Sequence, residues 1–312
     1  MATYFSTFTA GETDTNVFDT GLLTSLMRSA TEGAILSEGG TAMTYDFDVL
    51  SSFSFTASGG LSAPWSGTIT GISTVVNDAQ VSGGSGFAVD ATTVRDAIAD
   101  GDGDALNALF WSGNDQITGS DSKDTLRGFA GSDLLMGGMG NDTLIGDAGA
   151  DRLAGGKGLD NLFGGSGNDR LYGERGNDVL VGGAGNDLIV GGLGSDTMSG
   201  GTGADTFRFR SLNDIAGNDV DRITDFSHAQ HDQIALTLID ANSTIDGDQA
   251  FTFIDSTSAP YMDKPPAGSL IVESGKGEGN YIVSLSVSGF GDQISFLVHT
   301  TDGVLTADDF VL

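Results

Sequence analysis

From Phe110 to Arg208 the polar and apolar positions repeat every nine residues without a break. The eighth position is apolar in all eleven units: Ile117, Leu126, Leu135, Leu144, Leu153, Leu162, Leu171, Leu180, Ile189, Met198 and Phe207. A triplet centred on it, such as Thr143-Leu144-Ile145, reads as a short strand whose middle side chain points to one face. The six residues before each triplet are rich in Gly, Asn and Asp and read as a turn. Two units then make one 18-residue coil, with two strands facing each other across a column of Leu-sized side chains. The prediction is a mostly β chain with a parallel β-roll over 110–208.

The flanks lack this period. Asp19-Thr20 opens a helical pattern through Leu22, Leu26 and Ala30, and Asp90 opens another through Val94, Ala97 and Ile98. Between them, Thr44–Val49, Ser52–Phe55 and Ser66–Ile72 alternate as strands do. Residues 1–109 are therefore expected to form a small β-rich domain with a helical lead-in. Residues 209–312 are expected to form a β-rich cap.

The polar positions carry chemistry. The sixth position is Asp in every unit: Asp115, Asp124, Asp133, Asp142, Asp151, Asp160, Asp169, Asp178, Asp187, Asp196 and Asp205. The first and fourth positions are each Gly in ten of the eleven, with Phe110 and Ser122 as the exceptions. A flexible Gly-rich linker would show no such phase, and collagen needs a period of three. Because the turns alternate sides, the carboxylates fall into a stack of six, from Asp115 to Asp205, and a stack of five, from Asp124 to Asp196.

Composition sharpens this picture. The chain of 312 residues has 49 Gly, and 43 acidic against 13 basic residues give a net charge of −30. That balance argues against nucleic acid, alginate or an anionic membrane as primary partner, and favours a hard divalent cation. Cys is absent, so thiolate metal sites and disulfides are excluded. No apolar run is long enough to span a membrane. The N-terminal residues have neither the basic start nor the apolar run of a secretory signal peptide.

The units resemble the Gly-Gly-x-Gly-x-Asp-x-U-x nonapeptide of RTX (repeats-in-toxin) calcium-binding proteins, where U is apolar. The resemblance implies a right-handed parallel β-roll that binds several Ca²⁺ ions. Each ion would take an Asp from two stacked turns and backbone carbonyls from the turn. The glycines expected to offer carbonyls are Gly138, Gly140, Gly149, Gly156, Gly158, Gly165, Gly167, Gly176, Gly183, Gly185, Gly192, Gly194, Gly201 and Gly203. Sharing one ion between successive turns limits the count to nine. Phe110-Trp111 and Asp121-Ser122-Lys123 disturb the first turns, which lowers the expectation to seven or eight. Stacked carboxylates repel, and Gly-rich turns lose much backbone entropy on ordering. The repeats are therefore expected to fold when they bind calcium.

A second resemblance covers about 100 residues at the C-terminus. Gly203–Phe209, Asp221–Phe226, Asp232-Gln233-Ile234, Phe251–Ile254 and Leu305–Leu312 look like the C-terminal domain of serralysin-type secreted proteins. The acidic loop common in that family is poorly represented at Gly289–Asp292. The resemblance implies export by a type I secretion apparatus, with Asp309-Phe310-Val311-Leu312 in the signal, and hence an extracellular or cell-surface location. A buried terminal strand would have the same residues.

Three further candidates stand. Asp219, Asp221 and Asp225 could hold another ion or be surface carboxylates. His228 and His231 beside Asp232 could hold zinc, although solvated loop histidines fit better. Asp100–Asp104 begins like an EF-hand loop, but Ala105 and Trp111 break the pattern, so an acidic turn is the better reading. No H-E-x-x-H or G-x-S-x-G motif occurs, and His228, His231 and His299 all lie in the C-terminal region. A non-catalytic protein that binds a cell-surface glycan or protein is expected. The alternative is a carboxylate-based polysaccharide-active hydrolase carried by the export module. Outward ninth positions, Ile145, Phe163 and Val181 on one sheet and Met136, Tyr172 and Val190 on the other, suggest packing surfaces. Burial within the chain is favoured over a dimer.

Overall fold

The structure is a computed structural model. It describes residues 113–215, 220–239, 250–255, 266–287 and 294–312, and before residue 113 only the backbone of seven strands. Asp90, expected to open a helix, instead ends a strand, Ala79–Asp90. The rest of that pattern, the one at 19–30, the turn at Phe110-Trp111, the acidic run Asp100–Asp104 and the Gly289–Asp292 loop lie outside these residues. The chain divides into two compact units, Met1–Asp151 and Arg152–Leu312.

In the first unit, Ala42–Asp48, Ser51–Ser62, Ser66–Val76 and Ala79–Asp90 pair in sequence as an antiparallel meander. Thr3–Ser6 lies antiparallel to Ala79–Asp90 and parallel to Gln116–Thr118. The repeats begin there. Gln116–Thr118 pairs in parallel with Leu134–Met139, and Asp124–Arg127 with Thr143–Ala148. Partners are 18 residues apart, so every other unit shares a sheet.

The second unit keeps that 18-residue register through Arg208. One sheet runs Arg152–Lys157, Arg170–Arg175, Leu188–Leu193, Thr206–Arg208, Gln233–Ala235 and Phe310–Val311, all parallel. The other runs Asn161–Ser166, Val179–Ala184, Thr197–Thr202, Arg222–Phe226 and Ile294–Thr300, also parallel. It then continues antiparallel through Asn280–Ser286 and Ser269–Ser274. Parallel pairing thus extends past Arg208 into the C-terminal region.

All eleven eighth-position side chains are buried. They stack in columns, such as Leu153–Leu171–Ile189–Phe207 and Leu162–Leu180–Met198. Each buried Leu-sized side chain contributes roughly 1.5–3 kcal/mol. Ile223 and Ile234 carry the columns on, and Phe226 and Phe296 close them. Phe226 lies 6.3 Å from Phe207, and Phe296 lies 4.5 Å from Phe209, between ring centroids.

The full repeat strands are six residues long, not three, as in Thr143–Ala148. Pairing runs on into the turn because glycines there let neighbouring backbones lie flush. Gly165 faces Gly183, for example, and a Cβ on Gly183 would lie 2.1 Å from the Gly165 carbonyl oxygen. Among the outward ninth positions, Val190 is buried, while Phe163 remains 37% exposed. Internal burial therefore holds for Val190 and fails for Phe163.

Candidate metal centre

Each repeat turn ends on its Asp, just before the strand that buries the eighth-position residue. The strand register therefore places Asp side chains of the same sheet edge one above another. All eleven are buried. Their carboxylates form ladders with the backbone. The N–H of Asp115 donates to Oδ1 of Asp133 at 2.7 Å, and that of Asp133 to Asp151 at 2.8 Å. In the second unit the N–H of Asp160 donates to Asp178 and that of Asp178 to Asp196, at 2.8 and 2.9 Å. On the other edge Asp169 donates to Asp187 and Asp187 to Asp205, at 2.8 and 2.9 Å.

This uses one carboxylate oxygen. The second, Oδ2, is buried without a hydrogen-bond partner at Asp133, Asp178, Asp187, Asp196 and Asp205. An ideal Cβ built on Gly182 would lie 2.4 Å from Oδ2 of Asp187 and 2.6 Å from the Gly200 carbonyl oxygen. The same position on Gly173 lies 2.5 Å from both Oδ2 of Asp178 and the Gly191 carbonyl oxygen. Two lone-pair-bearing oxygens thus converge with no proton donor between them. A buried carboxylate oxygen left so is costly. Oxygen-only donors of this kind fit a hard cation.

Burial raises the carboxyl groups. Asp133, Asp178 and Asp205 are each pushed up to about 7, and Asp196 to about 6, chiefly by loss of water. Stacked neighbours add to this, Asp196 and Asp160 against Asp178 for instance, and the ladder amide opposes it. Desolvation wins because a single amide cannot replace hydration of two oxygens. A bound cation would reverse the balance.

All fourteen glycines singled out above adopt positive φ. At Gly176, with φ of 134°, a Cβ would lie 1.4 Å from the Gly158 carbonyl oxygen. That carbonyl therefore points at the next turn of its stack, the direction a shared ion requires. The turn of Asp124 differs. Its Oδ2 accepts the N–H and hydroxyl of Ser120, at 2.5 and 2.9 Å.

The ladders do not stop at Asp205. The N–H of Asp196 donates to Oδ1 of Asp221 at 2.8 Å, and that of Asp205 to Oδ1 of Asp232 at 2.9 Å. The sequence places Asp232 in the serralysin-like segment Asp232-Gln233-Ile234 and beside the candidate zinc histidines. The signal for its ladder role was present: Asp232 stands 27 residues, three whole units, after Asp205, and Ile234 takes the eighth position. No Gly marks that turn, Ser227–Asp232. There His231 adopts φ of 67°, and Gln230 Oε1 accepts the Gly203 N–H at 2.7 Å.

Asp221 and Asp225 are not brought to one site. Asp221 joins the ladder, while Asp225 accepts the Gly200 and Gly201 amides and the Ser199 hydroxyl. Asp219 lies outside the described residues. Asp232 holds the amides of Asp205 and Ser227, and His228 Nδ1 lies 2.7 Å from Oδ1 of Asp309. Among the described residues no group of three or more His, Cys, Asp or Glu gathers as a metal site. The ladder sites would need only two carboxylates each, with carbonyls completing the set.

Residues 112–144, 145–180 and 172–207 match the family model of the RTX calcium-binding nonapeptide repeat (4 copies). The chain therefore carries RTX repeats, and calcium is the ion such repeats bind. No curated protein matches it. Among solved structures it is similar to the AlgE6R3 subunit of the Azotobacter vinelandii mannuronan C5-epimerase. The identity is 28% over 58% of this chain and 80% of that one, with a TM-score of 0.31. The AlgE6R2 subunit of the same enzyme gives 24% identity over 63% and 91%, with a TM-score of 0.28. Among the described residues, no helix is long and apolar enough to cross a membrane.

Proposed function

We propose that this is a secreted calcium-binding protein whose roll folds on meeting extracellular Ca²⁺. In this reading its role is non-catalytic binding at a cell surface or in a matrix. The observation that carries the calcium reading is the set of buried Oδ2 atoms without hydrogen-bond partners, those of Asp133, Asp178 and Asp187 lying close to a glycine carbonyl of the next turn. Apo, these groups oppose folding; bound, they supply it. The ions number seven to nine. The Asp124 turn, whose second oxygen is filled by Ser120, is the poorest site.

Export belongs to the same proposal. Residues 209–312 serve as a serralysin-like cap, and Asp309–Leu312 form part of a type I secretion signal. In the folded chain Asp309 and Phe310 are buried, and Phe310–Val311 pairs with Gln233–Ala235. A signal of this kind is therefore read before the chain folds. Among the described residues, His228 Nδ1 lies 2.7 Å from Asp309 Oδ1 and His299 Nδ1 lies 3.2 Å from Asn280 Oδ1.

Isothermal titration of the calcium-stripped chain tests the site count. Seven to nine ions are expected, and fewer than four would contradict the shared-ladder arrangement. Deleting residues 301–312 should abolish export from a strain with a type I apparatus. Undiminished export would reject the signal assignment.

A further inference from the structure

The outward face of one sheet in the second unit carries the opposite charge from the rest of the chain. Arg152 and Arg170 are direct cross-strand partners, as are Lys157 and Arg175 at the far end of the same two strands. Arg208 lies on Thr206–Arg208 in the same sheet, and Arg210 follows shortly after. Six of the chain's 13 basic residues thus gather here. All but Arg208 are exposed. The one exposed carboxylate on these strands is Glu174.

Like charges set directly opposite on a sheet repel. With 43 acidic residues in the chain, the partners of Arg170 and Arg175 on the next strand are nonetheless Leu188 and Leu193. Among the described residues none of the six forms an ion pair, and the Nε of Arg208 is buried without a hydrogen-bond partner. Tyr172 organises the strip. The Arg152 guanidinium lies 4.6 Å from the centre of its ring and that of Arg210 5.8 Å. Cation–π contact holds both forks in place, and a held fork loses less entropy when it grips a carboxylate in two-point fashion.

We infer that this strip binds a linear acidic polysaccharide, one whose sugars carry carboxylates. The basic groups are spread across successive strands, which suits a chain-like anion better than a single small one. Among the described residues of the strip the aromatic ring is Tyr172, and guanidiniums already occupy it, which disfavours stacking of nucleobases. A net charge of −30 repels a membrane plane or a duplex, whereas a single polymer strand meets only the strip. The inference rests on the surface-binding reading and gives that partner a chemistry. It also departs locally from the expectation that net charge excludes polyanions.

The test uses the full chain in calcium, with immobilised hyaluronan as probe. Neutral dextran and phosphatidylserine vesicles serve as comparisons. Hyaluronan should bind and dextran should not, and added salt should weaken the binding. The double variant Arg152→Glu/Arg170→Glu should lose about tenfold or more in affinity. Arg222→Glu, an exposed change on the other sheet, should leave affinity within about twofold of the parent. Far-UV circular dichroism of each variant reports whether calcium still folds the roll. Loss of sugar binding in a folded double variant supports the strip. Equal binding by that variant, no binding of hyaluronan by the parent chain, or binding of vesicles alone overturns the inference. If the roll itself fails to respond to calcium, the wider functional reading falls instead.

Discussion

The backbone N–H of Asp187 donates to Oδ1 of Asp205, eighteen residues further on, at 2.9 Å. Asp187 in turn accepts the N–H of Asp169 through its own Oδ1, and its Oδ2 is left buried without a hydrogen-bond partner. One carboxylate therefore does two jobs: one oxygen splices adjacent coils, and the other faces the Gly200 carbonyl oxygen where a cation fits.

Those two jobs separate on mutation. Asp187→Ala removes both, leaves the Asp169 amide without its acceptor, and should cost about 1–3 kcal/mol besides the lost ion sites. Asp187→Asn keeps an acceptor for that amide, and its new NH₂ can donate to the Gly200 carbonyl oxygen. It should lower the number of ions bound while costing less stability than the alanine change. Calcium titrations of both variants by circular dichroism and calorimetry check this. Equal effects would show that the carboxylate serves only one purpose.

Gly176→Ala should be among the most damaging single changes. Its φ of 134° disfavours any L side chain, and the new Cβ would collide with the Gly158 carbonyl. Gly113→Ala is the control. Its nearest neighbour to an added Cβ is Oδ1 of Asp115, at 3.9 Å. The first should raise the calcium needed for half-folding by about tenfold or prevent folding, and the second should shift it little.

Acid should partly replace calcium. Carboxyl groups of an unfolded chain titrate near ~4, whereas burial holds Asp133, Asp178 and Asp205 at about 7 in the roll. Between those values the folded apo state binds more protons than the unfolded one. Its stability therefore falls as pH rises through this window and is greatest below it. In EGTA the chain should gain β structure on moving from about pH 7.5 to about pH 5, where ladder carboxyls regain protons. Calcium added near neutrality should expel protons, visible as a binding heat that depends on the buffer's ionisation enthalpy. A buffer-independent heat would count against buried, raised carboxyls.

The C-terminal strand should respond to pH with its own sign. The Asp309 carboxylate beside His228 raises the imidazole above its ordinary range. A raised histidine supports the folded form while protonated, and that support is lost as pH rises through its folded value. In nuclear magnetic resonance titrations Asp309→Asn should return His228 towards its ordinary value. It should also increase hydrogen exchange at the Leu236 amide, which donates to the Val311 carbonyl. An unchanged His228 titration would show that the pair is not formed in solution.

The repeat is legible in the chain because two constraints recur in fixed phase, an inward apolar residue and a stacked Asp. The 18-residue register then follows from alternation of the turns. Strand length is not legible in this way. Reading three residues misses that Gly165 and Gly183 can pair as strand residues once neighbouring backbones lie flush. Asp232 is obscured for a related reason. Its turn replaces glycines with Gln230 and His231, whose side-chain hydrogen bond and positive φ do the same work. Asp225 is harder still, because its partners Ser199, Gly200 and Gly201 adjoin it only after coiling.

Far-UV circular dichroism of the full chain at pH 7.5, first in EGTA and then with calcium added stepwise to millimolar excess, tests the central claim most directly. The expected result is a spectrum with little β signal in EGTA that converts cooperatively to a β-rich one as calcium binds. Identical β-rich spectra in EGTA and in calcium would contradict the claim that ions held by the Asp ladders drive folding.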